Sequence, residues 1–371
     1  MKKLLFRLLI SLLIGGAFLY LATQRMSFAG AWATIAAARW TMLIPFLGGM
    51  ILQHFFRAWR WSQLLAPIHP VPFSRLLPIS SVGFLAIIAL PLRMGEFVRP
   101  YLIADPPRLR MSQALGTMAV ERVFDGLVLS LMAFVTVILA RARGVDVPLW
   151  ISSAGIIALS LFLAGLVVLV MTLWQREHAV TLCHRFFSLF SEKIADKAAS
   201  VARGIVEGFK VLPNLKRLSL FLGATLSYWI LNAFALWIIA LGIGLPLPFS
   251  SSFGLLSLVG IGIMIPAGPG FAGNFEYFAE GALSLYLPRS AMAQHGAGFI
   301  LAAHATNAGW YLLTGLLALL SPHVSFTRIV DASTKPPEID VPASRTSSDT
   351  TSNPHNPGDL PPGDGTQDAK N

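Results

Sequence analysis

Three stretches of this chain place charge inside strongly apolar surroundings. Glu121-Arg-Val-Phe-Asp125 lies within one hydrophobic run, while two other runs break off into Pro91-Leu-Arg-Met-Gly-Glu-Phe-Val-Arg99 and Pro266-Ala-Gly-Pro-Gly-Phe-Ala-Gly-Asn-Phe-Glu276. On a helix, Glu121 and Asp125 share a face at i, i+4, and Arg122 can pair with Asp125 at i, i+3. Around Gly95, Arg93 and Arg99 present planar guanidinium forks suited to phosphate, with Glu96 between them. In the second break, Gly268, Gly270 and Gly273 allow sharp turns, and Pro266 and Pro269 can end one half-helix and begin another. Glu276 then shares a helix face with Glu280. His304 and Asn307, three apart in the last apolar run, could complete a polar wall or relay a proton.

Each group also has a plainer use. Glu121, Arg122 and Asp125 could form an ion pair that fixes helix packing, and His304 and Asn307 could bridge two helices. Arg93 and Arg99 could be ordinary cations of a membrane-flanking loop, although orientation does not require the acid Glu96. Arg57-Ala-Trp-Arg-Trp61 reads as an interfacial belt of aromatic rings with snorkelling cations.

The elements that must carry these residues are membrane helices. Hydrophobic residues make up 55% of the 371 and charged residues only 12%, and the mean hydropathy is +0.66. That composition belongs to a polytopic membrane protein. In a bilayer an unpaired backbone group costs several kcal/mol, so a broken helix persists only where protein buries it or water reaches it. The formal charge of +10 does not indicate nucleic acid, because most Lys and Arg sit in short loops beside apolar runs. The single Cys183 excludes an internal disulfide. Neither metal-ligand spacing nor a nucleotide-binding loop is present, so no metal or cofactor is expected.

The apolar runs predict an all-α integral membrane protein with six full spans at 8–22, 40–56, 112–140, 150–174, 218–243 and 296–321. Two re-entrant or broken segments are expected at 77–110 and 251–288. The first run follows Lys2, Lys3 and Arg7 and reads as an uncleaved anchor, with a signal peptide cut after Ala29 as the alternative. With both interrupted segments re-entering, 22 of the 28 Lys and Arg fall on the cytoplasmic side together with both termini, and five fall opposite. Each half, about 1–140 and 150–321, then reads helix, helix, interrupted segment, helix. Three crossings per half make the second an inverted copy of the first, a plan common among secondary transporters. Pro91, Gly95 and Glu96 match Pro269, Gly273 and Glu276 in order.

Residues 175–217 carry eight Lys and Arg with apolar residues at helical spacing, among them Phe186, Phe190, Ile194 and Phe209. They read as a cytoplasmic amphipathic segment lying on an anionic lipid surface, or as a solvated linker. From Asp331 to Asn371 the composition turns to Pro, Ser, Thr, Asp and Gly, which predicts a disordered cytoplasmic tail of charge about −4.

Taken together, Arg57-Ala-Trp-Arg-Trp-Ser-Gln-Leu-Leu65, Pro91 to Arg99, Glu121 to Asp125 and Pro269-Gly-Phe-Ala-Gly-Asn-Phe-Glu276 resemble the lysylphosphatidylglycerol synthase transmembrane, or flippase-like, family over about residues 1–325. The resemblance implies a lipid-handling domain of the bacterial inner membrane. In two-part synthases of that family this domain is associated with moving an aminoacylated phospholipid between leaflets, while a soluble domain makes it. The resemblance covers the membrane part alone, so synthase activity is not expected. Many members carry Pro-Gly-Gly-x-Gly before the acid; here Phe271 takes the third place, as in branches that include hopanoid-biosynthesis-associated membrane proteins.

The expected function is movement of a polar or anionic headgroup of a phospholipid, hopanoid or polyprenyl-linked lipid through a hydrated cleft. Its wall would comprise Arg93, Gly95, Glu96, Arg99, Glu121, Arg122, Asp125, Pro269, Gly270, Gly273, Glu276, His304 and Asn307. The rival readings are a membrane transferase using a polyprenyl-phosphate donor, and a non-transporting scaffold for lipid-biosynthetic enzymes.

Overall fold

The apolar runs fold into helices whose starts are repeatedly set by proline. Pro72, Pro148, Pro248 and Pro288 each precede a first helical residue, with ψ between 139° and 156°. The fixed φ of proline suits a helix entry, where its missing N–H has no partner to lose. The computed structural model describes residues 2–24, 30–245, 247–265, 268–325 and 329, apart from the side-chain surroundings of 2–8, 11, 91, 92 and 94. The expected tail, 331–371, and the alternative cleavage site lie outside the described residues.

In chain order the helices are α1 (Lys2–Thr23), α2 (Ala31–Ala36), α3 (Leu43–Leu65), α4 (Phe73–Ala89), α5 (Val98–Ile103), α6 (Met111–Ala142) and α7 (Leu149–Trp174). They continue as α8 (Arg176–Ser188), α9 (Glu192–Glu207), α10 (Leu215–Ile243), α11 (Phe249–Met264), α12 (Asn274–Leu283), α13 (Arg289–Ala291) and α14 (Ala297–Ala318). No strand occurs among the described residues. Among the described residues three helices, α6, α7 and α10, are long and apolar enough to cross a membrane, and α4, α11 and part of α1 are shorter apolar helices. On α7 the large residues Ile157, Leu161, Val168 and Met171 are all exposed. An apolar helix with an apolar outer face fits hydrocarbon rather than water, and the chain is an integral membrane protein.

α3 and α10 pack side by side at the centre, joined by Phe46, Met50, Ala235 and Ile238. Around this pair, α4 lies on α14 and α11 lies on α6. α1 packs on α12, and α7 packs on α6. The two broken segments are therefore held from several sides.

Two sequence expectations change at this level. The expected span 40–56 is the first part of a helix that runs to Leu65, so Arg57 to Trp61 is not an interfacial belt. Arg60 is 1% exposed and Trp61 is fully buried, because positions 57, 60, 61 and 64 turn one face of α3 inward. The segment 175–217 is not one helix but two, α8 and α9, folded against each other. α9 buries Ala195, Ala199 and Val206, whereas Leu182, Phe186, Leu189, Phe190 and Ile194 stay exposed around the turn.

Candidate functional site

Both breaks are built on the same local plan. The first runs as a 3-10 segment over Pro91–Phe97 between α4 and α5, the second over Pro269–Phe271 between α11 and α12. Two residues after each proline stands a non-glycine in the left-handed region, Arg93 at φ 57° and Phe271 at φ 62°. Four residues after each proline stands a glycine pressed against another backbone. A Cβ on Gly95 would sit 2.1 Å from the carbonyl carbon of Ala86, and one on Gly273 would sit 1.9 Å from the Gly15 oxygen. Left-handed backbone in a non-glycine costs on the order of 1–2 kcal/mol, so the surroundings must hold it. They do so across the two breaks: the Arg93 guanidinium lies 5.9 Å from the Phe271 ring, and its Nη1 donates to the Ile263 carbonyl at 2.8 Å. Arg93 thereby partners an end carbonyl of α11, while its Nε donates to Glu96 at 2.8 Å.

Behind the first break sits a buried ion network that joins α3, α5 and α6. Arg60 Nη1 donates to Asp125 Oδ1 at 2.5 Å, and Nη2 to Glu121 Oε1 at 2.9 Å and Asp125 Oδ2 at 3.0 Å. Arg99 reaches Glu121 at 3.2 and 3.4 Å. Arg122 reaches Glu121 at 2.7 Å and Asp125 at 3.2 Å, and the Trp229 indole N–H donates to Asp125 at 3.1 Å. Glu121 and Asp125 thus act on one helix face, as their spacing requires. Charges taken this far from water survive only when multiply paired.

The network forms one wall of a cavity of about 140 Å³. Arg57, Arg60, Arg93, Arg122, Asp125, Tyr228, Asn232, His304, Asn307 and Tyr311 supply its polar lining, and Phe84, Leu129, Phe271 and Phe275 are among its apolar lining. Gly270 brings the second break to the same space. The side chain of Arg122 is 31% exposed and that of Arg93 16%, so neither is used up by its ion pair.

At the opposite wall, His304 clamps the second break. Its Nε2 lies 2.6 Å from the Gly270 carbonyl oxygen and its Nδ1 lies 2.6 Å from Glu276 Oε1. A carbonyl can only accept, so Nε2 must carry a hydrogen. The Nδ1 contact then needs a second proton, on the imidazole or on the acid; either way the pair holds one proton more than a neutral histidine beside a carboxylate. Glu276 Oε2 also accepts from the Gly273 N–H at 2.7 Å, tying the start of α12 as a glutamate three residues into a helix can. The Phe275 ring stacks on the imidazole at 4.6 Å.

Residues 8–318 match the family described as Lysylphosphatidylglycerol synthase TM region. The chain belongs to that family. No curated protein and no solved structure matches it. The family is a membrane-lipid family, and it is this lipid-related membrane region that carries the cavity.

Within this lysylphosphatidylglycerol synthase TM region, the expected residues separate into two layers. Arg93, Arg122, Asp125, Gly270, His304 and Asn307 line the cavity. Gly95, Glu96, Arg99, Glu121, Pro269, Gly273 and Glu276 do not line it. Arg99 in particular is fully buried against Glu121 and the Trp61 ring. Arg57, Arg60, Tyr228, Asn232 and Tyr311 also line the cavity and are not among the residues expected from the sequence. The available signal was the pair Arg57 and Arg60 at i, i+3 followed by Trp61, which proximity to the end of a presumed span assigned to the interface.

Proposed function

We propose that this chain moves a lipid by passing its polar headgroup through the cavity between the two breaks, while the tails stay in hydrocarbon. The observation that supports this most is convergence: charged side chains from α3, α6 and the first break, His304 and Asn307 from α14, and Gly270 of the second break meet at one small space inside a membrane domain. The breaks re-enter on the side they left, and the two halves are inverted repeats. Their shared plan, with a proline, a left-handed residue two later and a glycine four later, supports the repeat. So does the exchange of partners, with α4 on α14 answered by α11 on α6. Rocking of one half against the other would expose the cavity to either leaflet. The chain lies in the bacterial inner membrane with both termini cytoplasmic. Arg57, Arg60, Arg93 and Arg99 belong to the buried network rather than to a loop, and without them the orientation rests on 18 Lys and Arg against five. The exposed apolar rim of α8 and α9, beside Arg185, Lys193 and Lys197, rests on the anionic cytoplasmic surface.

The test is a leaflet assay with the purified chain in liposomes carrying headgroup-labelled lipids, scored by accessibility to an external quencher. Protein-dependent movement of one lipid class that Arg122→Ala and Glu96→Gln abolish is the expected result. Absence of movement for anionic, aminoacylated, hopanoid and polyprenyl lipids alike would refute transport.

A further inference from the structure

The cation that the mechanism leaves over is Arg57. Its Nη2 donates to the Tyr228 hydroxyl at 2.8 Å, but its Nε and Nη1 are buried without a hydrogen-bond partner. Among the described residues no carboxylate pairs with it. Aromatic rings surround it instead, with its guanidinium carbon 3.5 Å from the Phe84 centroid, 4.9 Å from that of Tyr311 and 5.1 Å from that of Tyr228. Around the same space the guanidinium groups of Arg57, Arg60, Arg93, Arg99 and Arg122 face only the carboxylates of Glu96, Glu121 and Asp125, a formal excess of two positive charges. The oxygens of Asp125, the carboxylate on the cavity wall, are already taken by Arg60, Arg122 and Trp229. Asn307, on the facing wall, makes no side-chain hydrogen bond among the described residues.

A second observation concerns the neighbouring space. A groove of about 300 Å³ lies between α2, α3, α10 and α14, lined by Trp32, Trp40, Leu43, Ile238, Ile243 and Ala305 among others. It shares Phe46, Ile239 and Thr306 with the charged cavity. An excess of positive charge thus adjoins an apolar channel more than twice its volume. The charged cavity itself is about the size of an engineered cavity of ~150 Å³ that admits benzene, so it has room for roughly half a dozen heavy atoms.

We propose that cavity and groove form one binding site for an anionic amphiphile, with a phosphodiester on Arg57, Arg122 and Asn307 and a hydrocarbon chain between Trp32, Trp40 and Ile243. A phosphodiester oxygen can accept a charge-assisted hydrogen bond from the unpartnered Arg57 Nη1, and its charge offsets the excess. The same excess disfavours a cationic headgroup, since no carboxylate on the wall is free to receive one. The proposal rests on the lipid-handling reading above and narrows its guest from any polar lipid to an anionic one.

Trp32 and Trp40 make the site readable. The full-length protein in a nonionic detergent would be titrated with chain-brominated phosphatidylglycerol, phosphatidylcholine or lysyl-phosphatidylglycerol, following tryptophan quenching. The variant Trp32→Phe/Trp40→Phe defines the share of signal that belongs to the groove. The anionic lipid is expected to quench that share at about tenfold lower mole fraction than the other two, the size of one charge-assisted hydrogen bond. Arg57→Gln should erase the preference and Arg57→Lys should retain only part of it. Should Arg57→Gln fail to fold, Ala305→Phe, which fills the groove, should weaken quenching by the anionic lipid. Equal quenching by all three lipids, stronger quenching by the aminoacylated lipid, or no effect of Arg57→Gln in a folded protein would overturn the proposal. So would displacement by soluble glycerophosphoglycerol at the lipid's own concentration, which would mean a free anion site. Because this is binding at equilibrium, a protein that shows the preference yet moves no lipid refutes transport alone.

Discussion

Replacing Glu121 by glutamine should strand Arg99. Glu121 is fully buried and accepts from Arg60 at 2.9 Å, from Arg99 at 3.2 and 3.4 Å and from Arg122 at 2.7 Å. Arg60 and Arg122 keep Asp125, whereas Arg99, itself fully buried, has Glu121 as its ion-pair partner. Glutamine preserves the volume and one acceptor oxygen, so no cavity opens and the loss is electrostatic. Breaking a buried pair from one side costs about 3–5 kcal/mol, and the retained acceptor places Glu121→Gln near 3. At roughly 2 °C per kcal/mol for a chain of this size, the unfolding midpoint should fall by about 6 °C. Asp125→Asn should cost less, because each of its arginines keeps Glu121. Adding Arg99→Met to Glu121→Gln removes the stranded charge and should restore more than half of the loss. The assay is thermal unfolding in one detergent, followed by tryptophan fluorescence, with Trp61 lying 4.2 Å from the Arg99 guanidinium as a local reporter. A midpoint for Glu121→Gln within 1 °C of the parent, or a double variant worse than both singles, would refute the reasoning.

Three further outcomes follow from the geometry. Gly95→Ala would drive a methyl into the Ala86 backbone and should abolish monodisperse protein on size exclusion, while Gly48→Ala, which has nothing within 4 Å, should be silent. His304→Ala should raise hydrogen exchange across 268–276 by releasing the Gly270 carbonyl and Glu276, whereas Glu276→Gln, whose amide can donate to Nδ1, should leave that exchange near the parent level. At the junction of α6 and α9, burial works against Glu207, yet hydrogen bonds from Gln113 and Arg110 outweigh it and hold the carboxyl below its ordinary value. A depressed acid contributes stability above the ordinary glutamate range and loses it as pH falls through its folded value. Limited proteolysis of the α8–α9 pair should therefore accelerate on acidification, and Glu207→Gln should flatten that dependence.

What could be read from one dimension was whatever the bilayer dictates. Long apolar runs must be helices, because hydrocarbon offers no partner to a backbone group, and so the all-α class, the two interruptions and the Glu121/Asp125 face were legible. The family was legible too, since its motifs are local. Pairing across the fold was not. That Arg60 on α3 would neutralise both acids of α6 depends on which helix faces which, and a cation near the end of an apolar run looks the same whether it snorkels or turns inward. The division of Arg93, Arg99 and Arg57 into a capping residue, a buried partner and an open cation likewise came only from packing. Sequence determined where charge must be tolerated inside the membrane region; tertiary structure decided which charges are spent on each other and which are left over, because that depends on distances of a few ångströms between residues far apart in the chain, 171 positions for Arg57 and Tyr228.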